Sequence, residues 1–197
     1  MKTDYNKLFE EIAKASNGEK TLLLHTCCAP CASHCLEKTA FAFKTSAYFY
    51  NPNITSEEEF LKRFFELEKF VATVYGSGVE VIKTNHDSQE FYSAIKGLEN
   101  LPERSNRCYI CYKLRLEQTA KFAKENGFDY FATTLTLSPH KNAEWLNEIG
   151  FELQEKYGVK YLPSDFKKQN GYLNSIKLSE KHNLYRQDFC GCEFSKK

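Results

Sequence analysis

The sequence predicts an α/β domain, with an open, mostly parallel five-stranded sheet covered by helices on both faces. Three observations lead there. Short apolar runs rich in Leu, Phe, Tyr and Val recur along the chain. Segments of helical periodicity alternate with them, as parallel strands joined by crossover helices require. The 197 residues suffice for one domain with a full core and no disulfide staples.

Thr21 to Thr26 is an apolar run suited to a buried parallel strand. Pro30 fits the first turn of a helix, and Ala32 to Lys44 continues it. Ser46 to Tyr50 reads as the second strand, ended by Asn51-Pro52-Asn53. Thr55 and Ser56 ahead of Glu57-Glu58-Glu59 form a helix start. Its apolar stripe is Phe60, Phe64, Leu67 and Val71, and Gly76-Ser77-Gly78 stops it after Tyr75. Val79 to Lys83 is the third strand and His86 to Ile95 a short helix. A polar connector, Asn100 to Arg107, leads into a long helix from Cys108 to Asn126, capped by Gly127. Asp129 to Leu135 is the fourth strand. Thr136 to Pro139 leads to a helix from His140 to Tyr157, ended by Gly158. Val159 to Leu162 is the fifth strand, and Asn174 to His182 the last helix. In such sheets ligands bind beyond the carboxyl ends of the strands, which is where the first strand's loop and Thr133 to Pro139 fall.

Composition narrows the function. A formal net charge of +1 excludes a strongly basic nucleic-acid coat, though not a local basic face. No apolar leader follows Met1 and no apolar run approaches membrane-spanning length, so a cytoplasmic chain without membrane contact is expected. Structural disulfides are uncommon among reduced thiols.

The eight cysteines fall into three groups: Cys27-Cys28-Ala29-Pro30-Cys31 with Cys35 beyond, Cys108 with Cys111, and Cys190-Gly191-Cys192. Thiols at this spacing point to a metal or iron–sulfur centre at the sheet's carboxyl rim, built from three distant stretches. Inert buried thiols, a disulfide framework and a structural zinc knot around Cys108 and Cys111 are the competing readings. Cys35, one turn beyond Cys31, suits inward packing, which leaves seven candidate ligands: Cys27, Cys28, Cys31, Cys108, Cys111, Cys190 and Cys192. Seven exceeds what one four-iron cluster takes, so the remainder points to a second, mononuclear metal or a redox-active thiol pair. Cys27 and Cys28 are adjacent, so their side chains are expected to diverge. Residues 1–197 are read as a single domain, with segment 183–197 returning to complete the metal site.

With these groups and their flanks in view, the chain resembles the QueH family, the cobalamin-independent epoxyqueuosine reductases. The resemblance rests on His25-Thr26-Cys27-Cys28-Ala29-Pro30-Cys31, Tyr50-Asn51-Pro52-Asn53-Ile54, Arg107-Cys108-Tyr109-Ile110-Cys111 and Thr133 to Pro139. Asp165 to Lys168 with Gly171-Tyr172, and the run Leu184 to Cys192, extend it over most of the chain. It implies an adenine-nucleotide alpha-hydrolase-like (HUP-like) fold. It also implies reduction of the epoxide of epoxyqueuosine, at the wobble position of a tRNA, to the alkene of queuosine. A [4Fe-4S] cluster with a second iron site, an external electron donor such as a ferredoxin or flavodoxin, and independence from cobalamin are what such an activity would use. Cys-Cys-Ala-Pro-Cys stands where the fold's relatives carry a glycine-rich phosphate loop, so no use of ATP is expected.

Epoxide removal takes two electrons and two protons, so a proton donor is needed. Asp165 and Asp188 are the candidates; capping a helix or pairing with Lys167 and Arg186 is the bland alternative. Arg104, Arg107, Lys113, Lys167, Lys168 and Arg186 are candidate phosphate contacts for the tRNA, and Tyr109, Tyr185 and Phe189 candidate stacking faces. His25 reads as a satisfied core histidine, and His140 as a helix-start residue without chemistry. The other functions weighed are an iron–sulfur tRNA sulfur transferase, a zinc-stabilised tRNA-binding module and a redox-sensing regulator.

Overall fold

The computed structural model describes residues 3–195. Five strands form one sheet: β1 (Thr21–His25), β2 (Lys44–Phe49), β3 (Glu80–Lys83), β4 (Tyr130–Thr133) and β5 (Lys160–Tyr161). Their order is β3-β2-β1-β4-β5, and every pairing is parallel. β1 lies at the centre, paired to β2 from Thr21↔Lys44 to His25↔Tyr48 and to β4 from Leu22↔Tyr130 to His25↔Thr133. Strand order reverses between β1 and β4, so a crevice opens above their carboxyl ends.

Side-chain alternation along β1 divides the core between the two faces. Leu22 and Leu24 join Phe9, Leu36, Phe60 and Leu67 on one side. Leu23 joins Leu116, Ala120, Leu146 and Leu153 on the other. The first face is covered by α1 (Tyr5–Ser16), α2 (Ala29–Thr39) and α3 (Glu57–Tyr75), with α7 (Gly171–Lys181) packed on α2. The second is covered by α5 (Asn106–Glu125) and α6 (Ala143–Tyr157), while α4 (Ser88–Ala94) packs on α5. α6 approaches β5 so closely that a Cβ on Gly150 would lie 2.3 Å from the Tyr161 ring.

Helix starts follow side-chain caps. Asp4 accepts from the N–H groups of Asn6 and Lys7, each at 3.1 Å. Asn142 accepts from Glu144 at 2.9 Å and Trp145 at 3.3 Å, so α6 begins three residues after His140. α2 ends at Thr39, because Lys44 N–H bonds to Lys20 O at 2.8 Å and the intervening residues turn into β2. The expected fourth strand stops at Thr133, whose hydroxyl accepts from Leu135 N at 3.1 Å and turns Thr134–Leu137 into a 3-10 segment. Leu162 still bonds to Phe131 O at 2.9 Å, but Pro163 has no N–H to extend β5. Helix α1 was not expected from the sequence, although Tyr5, Leu8, Phe9, Ile12 and Ala13 fall at helical spacing; Phe9 is buried, with Ile12 and Ala13 packed against the same core.

Candidate metal centre

The first thiol group is fixed by the end of β1. His25 is fully buried, with Nδ1 3.0 Å from Thr133 Oγ1 and Nε2 3.0 Å from Tyr50 O. Burial, aided by the nearby Arg115 cation, holds its pKa down to about 3, so it stays neutral. It is a satisfied core histidine that ties β1, β2 and β4 together at the crevice. Asn51 adds a bond from its Nδ2 to Thr26 O at 2.9 Å. The chain then leaves β1 with Cys28 extended as the N-cap of α2, and Pro30 in the first turn.

This turn brings Cys27, Cys28 and Cys31 together, their sulfurs all within 4.8 Å of one another. Adjacent Cys27 and Cys28 do not diverge: their sulfurs are 3.7 Å apart, because Cys28 has already left the strand's pleat. Among the described residues no other His, Cys, Asp or Glu group of three meets so closely. Hydrogen bonds from Cys28 and then Cys31 push the Cys27 thiol well down. The same contacts, with burial, push Cys28 and Cys31 up. Gln187 adds a donor, its Nε2 lying 2.9 Å from Cys28 Sγ. Cys35, on α2, is fully buried in the core and is not one of the three sulfurs that meet.

The second group joins a helix to the tail. Cys108 and Cys111 lie on the first turns of α5, and Cys190 and Cys192 on the segment after α7. All four line one small cavity of about 20 Å³. Burial first of all pushes Cys111 up to about 11 and Cys192 up to about 12.

Two arginines hold this tail. Arg63, 1% exposed on the apolar side of α3, pairs with Glu59 at 2.6 Å and donates to Cys190 O and Phe189 O, each at 3.3 Å. Arg107 is buried, and its guanidinium donates to Glu99 O at 2.6 Å and Phe194 O at 3.3 Å. Thr55 N–H donates to Gly191 O at 3.3 Å, and Ser195 Oγ to Cys192 O at 2.7 Å.

A cleft of about 510 Å³ opens above the switch point, bringing Cys27, Cys31 and Cys190 onto one surface. Asp188, Arg104 and Arg186 line the same cleft. Arg104 meets His140 there at 2.7 Å, so His140 belongs to the cleft wall rather than to a helix start. Arg186 donates to Ser179 Oγ at 2.9 Å. Asp165, Lys167 and Lys168 line a neighbouring cleft, where Asp165 pairs with Lys167 at 2.7 Å. Lys113 pairs with Glu152 at 2.6 Å. Of the aromatic candidates, Tyr109 packs edge-on to Trp145, Tyr185 lies under the Lys62 ammonium, and Phe189 under Arg63.

Four residues of the site were not foreseen: Arg63, Arg115, Lys141 and Gln187. Two had a readable signal. Arg115 continues the spacing of Cys108 and Cys111 along one face of α5. Arg63 interrupts the apolar side of α3, where a cation needs a partner.

A sequence model of the family described as "Epoxyqueuosine reductase QueH" matches residues 22–197. A protein of that name from Staphylococcus epidermidis is 42% identical over 99% of this chain and 85% of its own length. One from Streptococcus pyogenes serotype M1 is 39% identical over 100% of this chain and 80% of its own. One from Thermotoga maritima is 38% identical over 89% of this chain and 90% of its own.

Proposed function

We propose, for a chain that belongs to the QueH family of epoxyqueuosine reductases, the two-electron removal of the epoxide oxygen of epoxyqueuosine at a tRNA wobble position, which leaves the alkene of queuosine. The observation that carries this reading is the placing of thiols from three distant stretches around the switch point: Cys27, Cys31 and Cys190 line the cleft, and Cys190 also lines the adjoining small cavity with Cys108, Cys111 and Cys192. Soft sulfur donors without imidazoles suit an iron–sulfur centre. The triad would hold such a centre through three thiolates, of which Cys27 and Cys31 line the cleft. The tail and α5 thiols are assigned to a second iron site or a redox-active thiol pair. Such a centre, when bound, supplies electrons drawn from an external donor such as a ferredoxin or flavodoxin.

The chain's own residues bind, orient and protonate. Asp188 faces the cleft and is assigned the proton for the departing oxygen; Asp165 has the same chemistry but lies with Lys167 in the neighbouring cleft. Arg104 and Arg186 are assigned to phosphates beside the turned-out base, with Lys167 and Lys168 extending the track. The buried guanidinium of Arg107 is assigned to holding the tail instead. No role falls to cobalamin or ATP: the loop after β1 carries no glycine to open backbone N–H groups to a phosphate. The parallel sheet is compatible with adenine-nucleotide alpha-hydrolase ancestry. No helix among the described residues is long and apolar enough to cross a membrane, and we place the reaction in the cytoplasm, where tRNA resides.

The test is anaerobic turnover of epoxyqueuosine-containing tRNA by chain reconstituted with iron and sulfide, beside chain loaded with zinc alone. Queuosine formed only by the iron form supports the reading. Turnover by the zinc form, or none by chain with a full iron complement and a reductant, overturns it.

A further inference from the structure

We propose that Arg115 and Lys141 are shared counter-cations of the two thiol sites, placed between them to offset the charge of a bound metal centre and to set its reduction potential. The inference rests on the reading of these thiols as metal ligands, and concerns two residues outside the ligand set.

Arg115 is 1% exposed, yet no carboxylate pairs with it among the described residues. Its Nε donates to Cys111 O of its own helix at 3.3 Å, and its Nη2 has no hydrogen-bond partner. Lys141 is half-buried, and its ammonium likewise has no ion pair or hydrogen bond among the described residues. The chain's other buried arginines differ: Arg63 has Glu59 and two carbonyls, and Arg107 has two carbonyls. A buried cation without an anion is a cost that folded proteins rarely carry unexplained.

The missing anion is indicated by position. Arg115 and Lys141 each line both the open cleft and the small cavity of Cys108, Cys111, Cys190 and Cys192. They therefore form part of the wall between the two thiol groups. The sulfurs sharing those walls come from both sides: Cys27 of the triad lines the cleft, Cys111 the small cavity and Cys190 of the tail both, while Glu103, the one carboxylate common to both linings among the described residues, makes no ion pair with either cation. Helical spacing aims Arg115 this way, because Cys108, Cys111 and Arg115 share one face of α5.

Metal-bound thiolates are anionic, and each electron taken up adds a further negative charge. A nearby buried cation favours the reduced form and raises the reduction potential. Two cations facing both sites tie the charge on one to the potential of the other. In the metal-free chain the same cations lack the full anionic charge of a bound centre. Their two states thus have opposite consequences for stability, which a purely structural arginine or lysine would not show.

The test uses the full chain, metal-free and anaerobically iron-reconstituted, with Arg115→Met, Arg115→Lys, Lys141→Met and Lys141→Arg. In the metal-free state the Met variants should melt at the parent temperature or above it, since an unpaired buried charge is gone. In the loaded state they should have a more negative reduction potential and lose iron to a chelator about tenfold faster or more. The charge-conserving variants should stay near the parent in both. Parent-like potential and iron retention in the Met variants would overturn the proposal. So would a metal-free melting loss in step with the loss of iron, which marks a packing role. Should a Met variant fail to fold, the charge-conserving pair decides: a potential shift despite retained charge refutes the assignment. No measurement here uses turnover. An iron-loaded but inactive parent chain would end the proposed reaction and leave this proposal standing.

Discussion

Arg63→Met separates the stability of the α/β body from that of the tail. The substitution keeps most of the side-chain volume and removes one ion pair and two bonds to tail carbonyls. Charge-assisted hydrogen bonds are worth about 1.5–3 kcal/mol each, and at 3.3 Å these two belong at the lower end. Together they hold the tail by about 3 kcal/mol, roughly a hundredfold in local opening. The other consequence falls on Glu59, 13% exposed, which keeps only the Tyr185 hydroxyl at 3.4 Å. That costs the body about 1–2 kcal/mol, a melting shift of roughly 2–8 °C. Hydrogen exchange at the amides of 189–195 reads the first quantity, and thermal melting the second. Adding Glu59→Gln should restore melting and leave the tail open, because it removes the stranded carboxylate without replacing the tail's donors. Parent-like exchange in the tail of Arg63→Met, or full rescue of both readouts by Glu59→Gln, would refute this division.

Gly191 has φ +98, and a Cβ there would stand 2.8 Å from Ile54 Cγ1 and 3.2 Å from Arg63 Nη1; Gly191→Ala should therefore cost about 1–2 kcal/mol in backbone strain and lower iron content while circular dichroism stays native. His34 is buried beside Asn174, 3.0 Å away, and burial holds its pKa below the ordinary 6.5. The unfolded chain then takes up this proton first, so stability should fall as pH drops below about 6.5; urea midpoints of His34→Gln between pH 7 and 5 should fall less than the parent's, and parallel curves would remove His34 as the cause. Replacing Lys167 and Lys168 by Glu should weaken tRNA binding and flatten its dependence on salt, by about 1–2 in the log–log slope; unchanged affinity would remove both from the phosphate track.

Much of the fold was readable where an element ended in a strong stop. Asn51-Pro52-Asn53 closes β2, and the long helices have acidic starts or glycine ends. Helix α1 had a readable signal that the expectation left out: Tyr5, Leu8, Phe9, Ile12 and Ala13 recur at helical spacing behind the capping Asp4, and Phe9, Ile12 and Ala13 pack toward the core. The thiol groups were legible from spacing, but their partition was not. Adjacent cysteines in an extended chain would point apart; only the turn from β1 into α2 makes Cys27 and Cys28 converge with Cys31. The two candidate carboxylates looked alike in sequence, and tertiary structure separates them: Asp188 stands in the cleft, whereas Asp165 is taken up by Lys167. Lys141 gave no local sign at all, since its neighbours in space come from α5 and the tail.

Cys190 and Cys192 follow every strand and every α-helix in chain order. During synthesis the body can collapse and bury its core before these two sulfurs leave the ribosome. For that interval the triad stands without its neighbours, exposed to oxygen and to the wrong ion. If these thiols hold iron as proposed, delivery to a nascent chain would be premature, and a stop codon just before Cys190 would leave half a pocket and strip Arg63 and Arg107 of tail carbonyls.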